Sequence, residues 1–177
     1  MRRIKVVQIV NKSSMNRIGD SLIHNGVNEG LIQAFVINNV EFVVIGGLAV
    51  AWYCSERLAD DLDILVNLTP ENSARIFRAL GSLNIRGFSP DSFTKSGLQV
   101  PLKQFYYAEL LTPLKDGVTY SEIATDAVNA KLFNIPIQLA SVTSLILLKE
   151  LAIVNCMSTE KEKHIKDIEL LKKLKHT

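Results

Sequence analysis

Hydrophobic positions along the chain change their spacing several times, and each change marks an element. Leu31, Ile32, Phe35 and Val36 recur at helical spacing, which predicts a helix over 29–38 that Asn38-Asn39 stops. Phe42-Val43-Val44-Ile45 follows Glu41 without a polar break, the mark of a short buried strand. Gly46-Gly47 closes that strand, and a helix is expected over 48–55 with its N-terminus at the glycine turn. Strict alternation returns from Asp61 to Val66. Asp61, Asp63 and Leu65 fall on one face of this second strand, and Leu62, Ile64 and Val66 fall on the other.

Thr69-Pro70-Glu71 supplies a capping hydroxyl, a proline at the first helical position and an early acid, so a helix begins there. Ile76, Phe77 and Leu80 form its apolar side and Gly81 ends it. Residues 84–101 carry Gly87, Pro90, Gly97 and Pro101 and read as loops around one or two short strands. Gln104 to Leu111 is a strand with Phe105, Tyr107, Glu109 and Leu111 on one face, and 112–117 is a turn. Ile135 to Leu139 is a short strand whose Pro136 suits an edge position. Ser141 caps an apolar helix to about Val154, interrupted by Lys149 and Glu150. Thr159-Glu160-Lys161-Glu162 is a capping box that opens a last helix, with Ile165, Ile168, Leu171 and Leu174 inward and lysines at its end. Near the start, Ile4 and Val6 alternate as in a short edge strand, and 11–14 is a loop. Helices and strands mixed in this order predict an α/β or α+β domain around a small mixed sheet.

Composition narrows the class. With 47% apolar and 21% charged residues, 177 residues suit one well-cored globular domain. No apolar run approaches the roughly 20 residues that span a bilayer. Met1-Arg2-Arg3 is basic, but the stretch after it is too short and too polar for a secretory signal. A cytoplasmic protein without a membrane partner is expected. Cys54 and Cys156 lack metal-ligand spacing and read as reduced thiols, with a disulfide left open. His24, His164 and His176 lie far apart, which argues against a structural zinc or a Cys/His nucleophile. A net charge of +2 brings no bulk attraction for nucleic acid. Arg75, Arg78, Arg86, Lys95 and Lys103 are either a local acceptor patch or solvated surface.

The chemistry concentrates around the glycines. A buried strand that stops at paired glycines lets backbone approach a ligand, since no Cβ intervenes. Thirteen residues later, Asp61 and Asp63 share a face. Two carboxylates about 4 Å apart repel by roughly 4 kcal/mol at an effective dielectric near 20, so a cation or full solvation must separate them. Magnesium takes oxygen ligands and shares its shell with substrate phosphates. A two-metal site wants a third carboxylate from a neighbouring strand, and Glu109 in the middle of 104–111 is the candidate, unless it is only a surface acid. Phosphoryl-type transfer needs positioning and charge neutralisation rather than a nucleophilic side chain. Lys149, in an apolar helix, either runs out to solvent or reaches a triphosphate. Arg57 either pairs with Asp60 or Asp61 or orients phosphate.

Ile45-Gly46-Gly47, the thirteen-residue gap and Asp61-Leu62-Asp63-Ile64 resemble the signature of the DNA polymerase beta-type nucleotidyltransferase superfamily. Phe42 to Val50 with Arg57, Glu109 to Pro113, and Ser144-Leu145-Ile146 with Lys149 and Lys166-Asp167-Ile168 resemble its small bacterial branch of abortive-infection and toxin–antitoxin nucleotidyltransferases. The likeness spans about residues 30–175. It implies a nucleotidyltransferase core over 29–140, after an N-terminal extension at 1–28 and before C-terminal helices at 141–177 packed on the core. It also implies Asp61, Asp63 and Glu109 as catalytic residues and Mg²⁺ ligands in a two-metal site, with Mn²⁺ as an alternative. Gly46, Gly47, Arg57 and Lys149 would bind the nucleoside triphosphate. The acceptor would be tRNA or another RNA, a protein or a small molecule, and a cognate antitoxin would be a partner. Three positions depart from the pattern: Glu109 where many members carry Asp, Ala59 in place of a hydroxyl residue, and Asp60 where relatives often carry a basic or neutral residue. The alternative is therefore an inactive binding or regulatory module on the same fold.

Overall fold

The computed structural model describes residues 25–59, 61–102, 106–155 and 158–174. Helix α1 (Asn25–Ile37) buries Leu31, Ile32 and Phe35. It stops where Asn39 takes a left-handed φ of 52°, and the Asn38 amide donates to the Ala34 carbonyl at 2.9 Å to close the last turn. Val36, whose spacing suggested the same face, is exposed. Strand β1 (Phe42–Ile45) is buried throughout. Helix α2 (Gly46–Tyr53) starts at the first glycine, two residues earlier than expected. Strand β2 (Leu62–Val66) begins one residue after Asp61, which lies in the bend before it.

Helix α3 (Pro70–Ser82) starts as the sequence predicts, with the Asn72 N–H donating to Thr69 Oγ1 at 3.2 Å. Strand β3 (Gln99–Pro101) is the short strand of the glycine- and proline-rich segment. Strand β4 (Ala108–Leu111) is shorter than the expected run over 104–111: residues 106–107 precede it, and 103–105 lie outside the described residues. Helix α4 (Tyr120–Thr125) and strand β5 (Val128–Leu132) were not foreseen. β5 turns through Phe133 and Asn134, at φ of 53° and 62°, into strand β6 (Ile135–Leu139). Two successive positive φ values suit the right-handed twist of a two-residue hairpin.

The six strands form one mixed sheet in the order β3-β4-β2-β1-β6-β5. β6 is thus an inner strand, not the edge that Pro136 suggested. Its parallel pairing with β1 is the single register pair Val44↔Leu139, at the far end from Pro136, so the proline needs no ladder hydrogen bond on that side. β1 runs antiparallel to β2, and β2 runs parallel to β4.

The two faces of the sheet carry different cargo. Phe42, Val44, Leu62, Ile64, Ala108 and Leu110 point one way by register and parity. Phe35 of α1 meets Phe42 there, edge to face at 5.6 Å. Ile45, Asp63, Leu65, Glu109 and Leu111 point the other way, toward helix α5 (Val142–Asn155). Ser141 caps α5, its Oγ accepting from the Ser144 N–H at 3.0 Å. Helix α6 (Ser158–Leu174) packs on α5. Of its four expected inward residues, Ile168 and Leu171 are buried, whereas Ile165 and Leu174 are 45% and 42% exposed. Asp167 takes the inner face instead. Thr159 lies inside the first turn, because α6 already begins at Ser158. Cys54 is a free, buried thiol, and Cys156 lies outside the described residues. Among the described residues, no helix is long and apolar enough to cross a membrane.

Candidate active site

Gly46 sits at the β1–α2 junction with φ +71°, a conformation that side chains other than glycine rarely adopt. A Cβ built there would lie 1.8 Å from Asp63 Oδ2, so the absent side chain makes room for the carboxylate. Gly47 leaves space for a different group, because its Cβ would come within 3.0 Å of the Arg57 guanidinium. The two glycines therefore serve two different side chains.

Register brings the acids together. Asp63 stands opposite Ile45 on one side and opposite Glu109 on the other, so Asp63 and Glu109 share a sheet face on adjacent strands. Asp61, half-buried in the bend before β2, adds its field. Burial and then the charges of Asp61 and Glu109 push the Asp63 carboxyl up to about 6, against the opposing pull of Lys149 and Lys163. Glu109 is held at its far end, where Oε2 accepts a hydrogen bond from Gln99 Nε2 at 2.8 Å.

Asp63, Glu109 and Gln99 line a cavity of about 530 Å³ between the sheet and helices α5 and α6, whose wall includes neither Asp61 nor Gly47. Gly46, Asp63, Glu109, Lys149 and His164 all open onto it, and much of the remaining wall is leucine. Lys149 is only 6% exposed, so it does not run out to solvent. Its Nζ lies 2.8 Å from Oδ2 of Asp167, which is 1% exposed. Oδ1 of the same carboxylate accepts from Arg57 Nε at 2.6 Å. Burial alone would raise the Asp167 pKa, yet the hydrogen bond from Arg57 and the nearby charge of Lys149 hold it below the ordinary value. Two cations around one buried carboxylate leave a surplus positive charge beside the cavity.

Arg57 differs from expectation. It pairs with Asp167 rather than Asp61, its Nη1 also donates to the Leu58 carbonyl, and it lies behind the glycine turn rather than in the cavity wall. Asp60, the other partner considered, lies outside the described residues. Asp167 is the residue that sequence reasoning undervalued, since Lys166-Asp167 reads as a solvated pair. Only Lys166 is solvated, pairing with Glu162 one turn away at 2.8 Å. His164, three residues before Asp167 and thus on the same side of α6, carried no sequence signal beyond its spacing to Asp167.

A divalent cation fits this donor set in one way. Among the described residues, no three carboxylate, imidazole or thiol groups converge tightly enough to cage a metal ion. The half-buried Asp63 carboxylate nevertheless carries repulsion from Asp61 and Glu109 that a cation would relieve. Mg²⁺ commonly binds through one or two carboxylates together with substrate phosphates, which suits an ion arriving with a nucleotide.

A mixed sheet of this order, with a glycine turn facing acids on the next two strands, has the nucleotidyltransferase fold. An antigenic nucleotidyltransferase-like protein from Paracoccidioides brasiliensis is similar at a TM-score of 0.57 and 14% identity, over 86% of this chain and 78% of that one. ANT(2")-Ia, solved in complex with adenylyl-2"-tobramycin, is similar at a TM-score of 0.52 and 14% identity, over 82% of this chain and 86% of its own. At such identity the likeness speaks for the fold alone. No protein-family model matches the chain, and no curated protein matches it in sequence.

Proposed function

We propose that the protein is a nucleotidyltransferase, moving a nucleoside monophosphate from a nucleoside triphosphate to a hydroxyl acceptor with release of pyrophosphate. The observation that carries this reading is the overlap of a Gly46 Cβ with Asp63 Oδ2, in a cavity wall shared with Glu109 and Lys149. In this reading Asp61 and Asp63 hold the divalent cation, Glu109 completes the acidic face and receives the acceptor proton, and Lys149 meets the phosphate chain. The cation would supply charge neutralisation at the phosphates and at the attacking oxygen. Gly46 leaves room for the Asp63 carboxylate at the N-terminal end of α2, where the phosphates would lie. Arg57 acts at one remove, through Asp167, rather than on phosphate.

A small-molecule acceptor is the kind seen with ANT(2")-Ia, which was solved with adenylyl-2"-tobramycin, and is one arm of the test. RNA and protein acceptors, a cognate antitoxin and a toxin–antitoxin role rest on the sequence resemblance. The test is transfer of α-phosphate label from each of the four nucleoside triphosphates, with Mg²⁺ or Mn²⁺, to total RNA, protein or aminoglycosides. Label in one acceptor class, lost in Asp63→Asn, is the expected result. Absence of transfer, with no nucleotide-dependent thermal shift, would overturn it. Two observations favour a second reading, an inactive nucleotide-binding module: Glu109 is tethered by Gln99, and among the described residues the acids do not enclose a cage. Nucleotide binding without transfer to any acceptor is the outcome that distinguishes it.

A further inference from the structure

His164 lines the same cavity as Asp63, Glu109 and Lys149, yet the roles assigned so far leave it unused. Its Nδ1 is sealed inside the protein and meets no hydrogen-bond partner among the described residues. With Nδ1 closed off, Nε2 is the ring nitrogen that a molecule in the cavity can reach. The positive charge of Lys149 acts on this ring. A sealed nitrogen with no acceptor beside it is better left as a lone pair than as an unmatched N–H, which places the proton of the neutral ring on Nε2. Burial first, and then Lys149 and Lys163, hold the imidazole pKa below its ordinary value, while Asp167 and Glu160 pull the other way. The ring is thus a neutral donor. It adds a contact to a ligand without adding a second uncompensated charge next to Lys149.

We propose that His164 is a further substrate-contacting residue of this site, its Nε2–H donating a hydrogen bond to a phosphate oxygen of the bound nucleotide beside Lys149. An anionic oxygen is the natural partner, because the neighbouring lysine attracts negative charge to the same end of the cavity. This contact rests on the nucleotide reading above. It also differs from a general-base role, since a ring with Nε2 protonated has no free lone pair facing the cavity.

Two measurements test it. Nitrogen-15 chemical shifts of His164 in the ligand-free protein report the tautomer directly, and Nε2–H is expected near pH 7. An Nδ1–H tautomer would overturn the proposal whatever the protein does. The second is titration with magnesium tripolyphosphate, a probe that needs no knowledge of the base. His164→Gln keeps a donor near the Nε2 position and should bind like the native protein. His164→Phe keeps the bulk without the donor, and His164→Asn carries its amide near Nδ1; both should bind about tenfold more weakly, the size of one hydrogen bond to a charged group. Unchanged affinity in His164→Phe, with the native protein binding the probe, would contradict the contact and leave the nucleotide reading intact. No binding by the native protein would overturn that reading and the contact with it.

Discussion

An alanine at position 46 would demand a φ of +71° and would drive its Cβ into Asp63 Oδ2. Gly46→Ala is therefore expected to cost about 1–3 kcal/mol of stability, from backbone strain and displacement of a packed side chain. Denaturant unfolding measures it, and cation binding should weaken in parallel. Asp63 itself is costly to hold half-buried beside Asp61 and Glu109. Its folded pKa of about 6 lies above the unfolded value of 3.8, so the native state holds the proton more tightly. The stability this group contributes is fully present below about pH 4 and lost as pH rises through about 6. Asp63→Asn should remove that part of the pH dependence. At pH 7 it should make the metal-free protein more stable by up to about 2–3 kcal/mol, since one pKa unit corresponds to 1.36 kcal/mol. An unaltered stability–pH curve in the mutant would show that Asp63 is not strained by its neighbours. A gain in stability on losing a carboxylate, together with loss of transfer, is the signature of a residue kept for function.

Among the elements, α6 departs most from its sequence pattern. Asp167 lies 110 positions from Arg57, yet the two form a 2.6 Å ion pair, and Lys149 of α5 completes the group. Removing the shared carboxylate leaves two cations without their counter-charge, one of them deeply buried. Asp167→Asn is expected to destabilise the protein by about 3–5 kcal/mol, with amide exchange accelerating first in α6. Neutralising Lys149 in the same molecule, as in Lys149→Met with Asp167→Asn, should recover part of the loss.

The glycine turn, the strand that carries Asp63 and the helix caps at Thr69 and Ser141 were legible because each is a local pattern with a local cause. The register that sets Glu109 opposite Asp63 is not local, and only the pairing of β2 with β4 reveals it. Asp167 was not legible, since a buried acid and a solvated acid look alike until a partner folds onto them. Ile165 and Leu174 misled in the opposite way, as apolar residues that face outward. Helix α4 did carry a signal in Thr119 and Glu122, which form a capping box with the Glu122 carboxylate accepting from the Thr119 N–H at 2.8 Å. Its six residues were too few to set up an apolar period, and β5 is exposed along most of its length, so neither stood out.

For the molecule as a whole, the acids on one side of the cavity and the surplus cation on the other form a polarised slot. A cation and a polyphosphate should therefore bind cooperatively, each relieving the repulsion the other meets. Mg²⁺ with a nucleoside triphosphate is expected to raise Tm more than the sum of the separate shifts at pH 7.5. The cation's share should shrink at pH 5, where Asp63 is protonated and the ion must displace that proton. Additive shifts, or shifts indifferent to pH, would argue against a shared site.

A crystal structure with Mn²⁺ and a non-hydrolysable nucleoside triphosphate decides the matter most directly, because anomalous scattering locates the ion independently of any assumed ligand. The expected result is an anomalous peak bound by Asp61 and Asp63 with phosphate oxygens in its shell, Glu109 approaching it, and the phosphates passing over Gly46 toward Lys149. A nucleotide bound elsewhere, or a peak that touches neither Asp61 nor Asp63, would contradict the assignment.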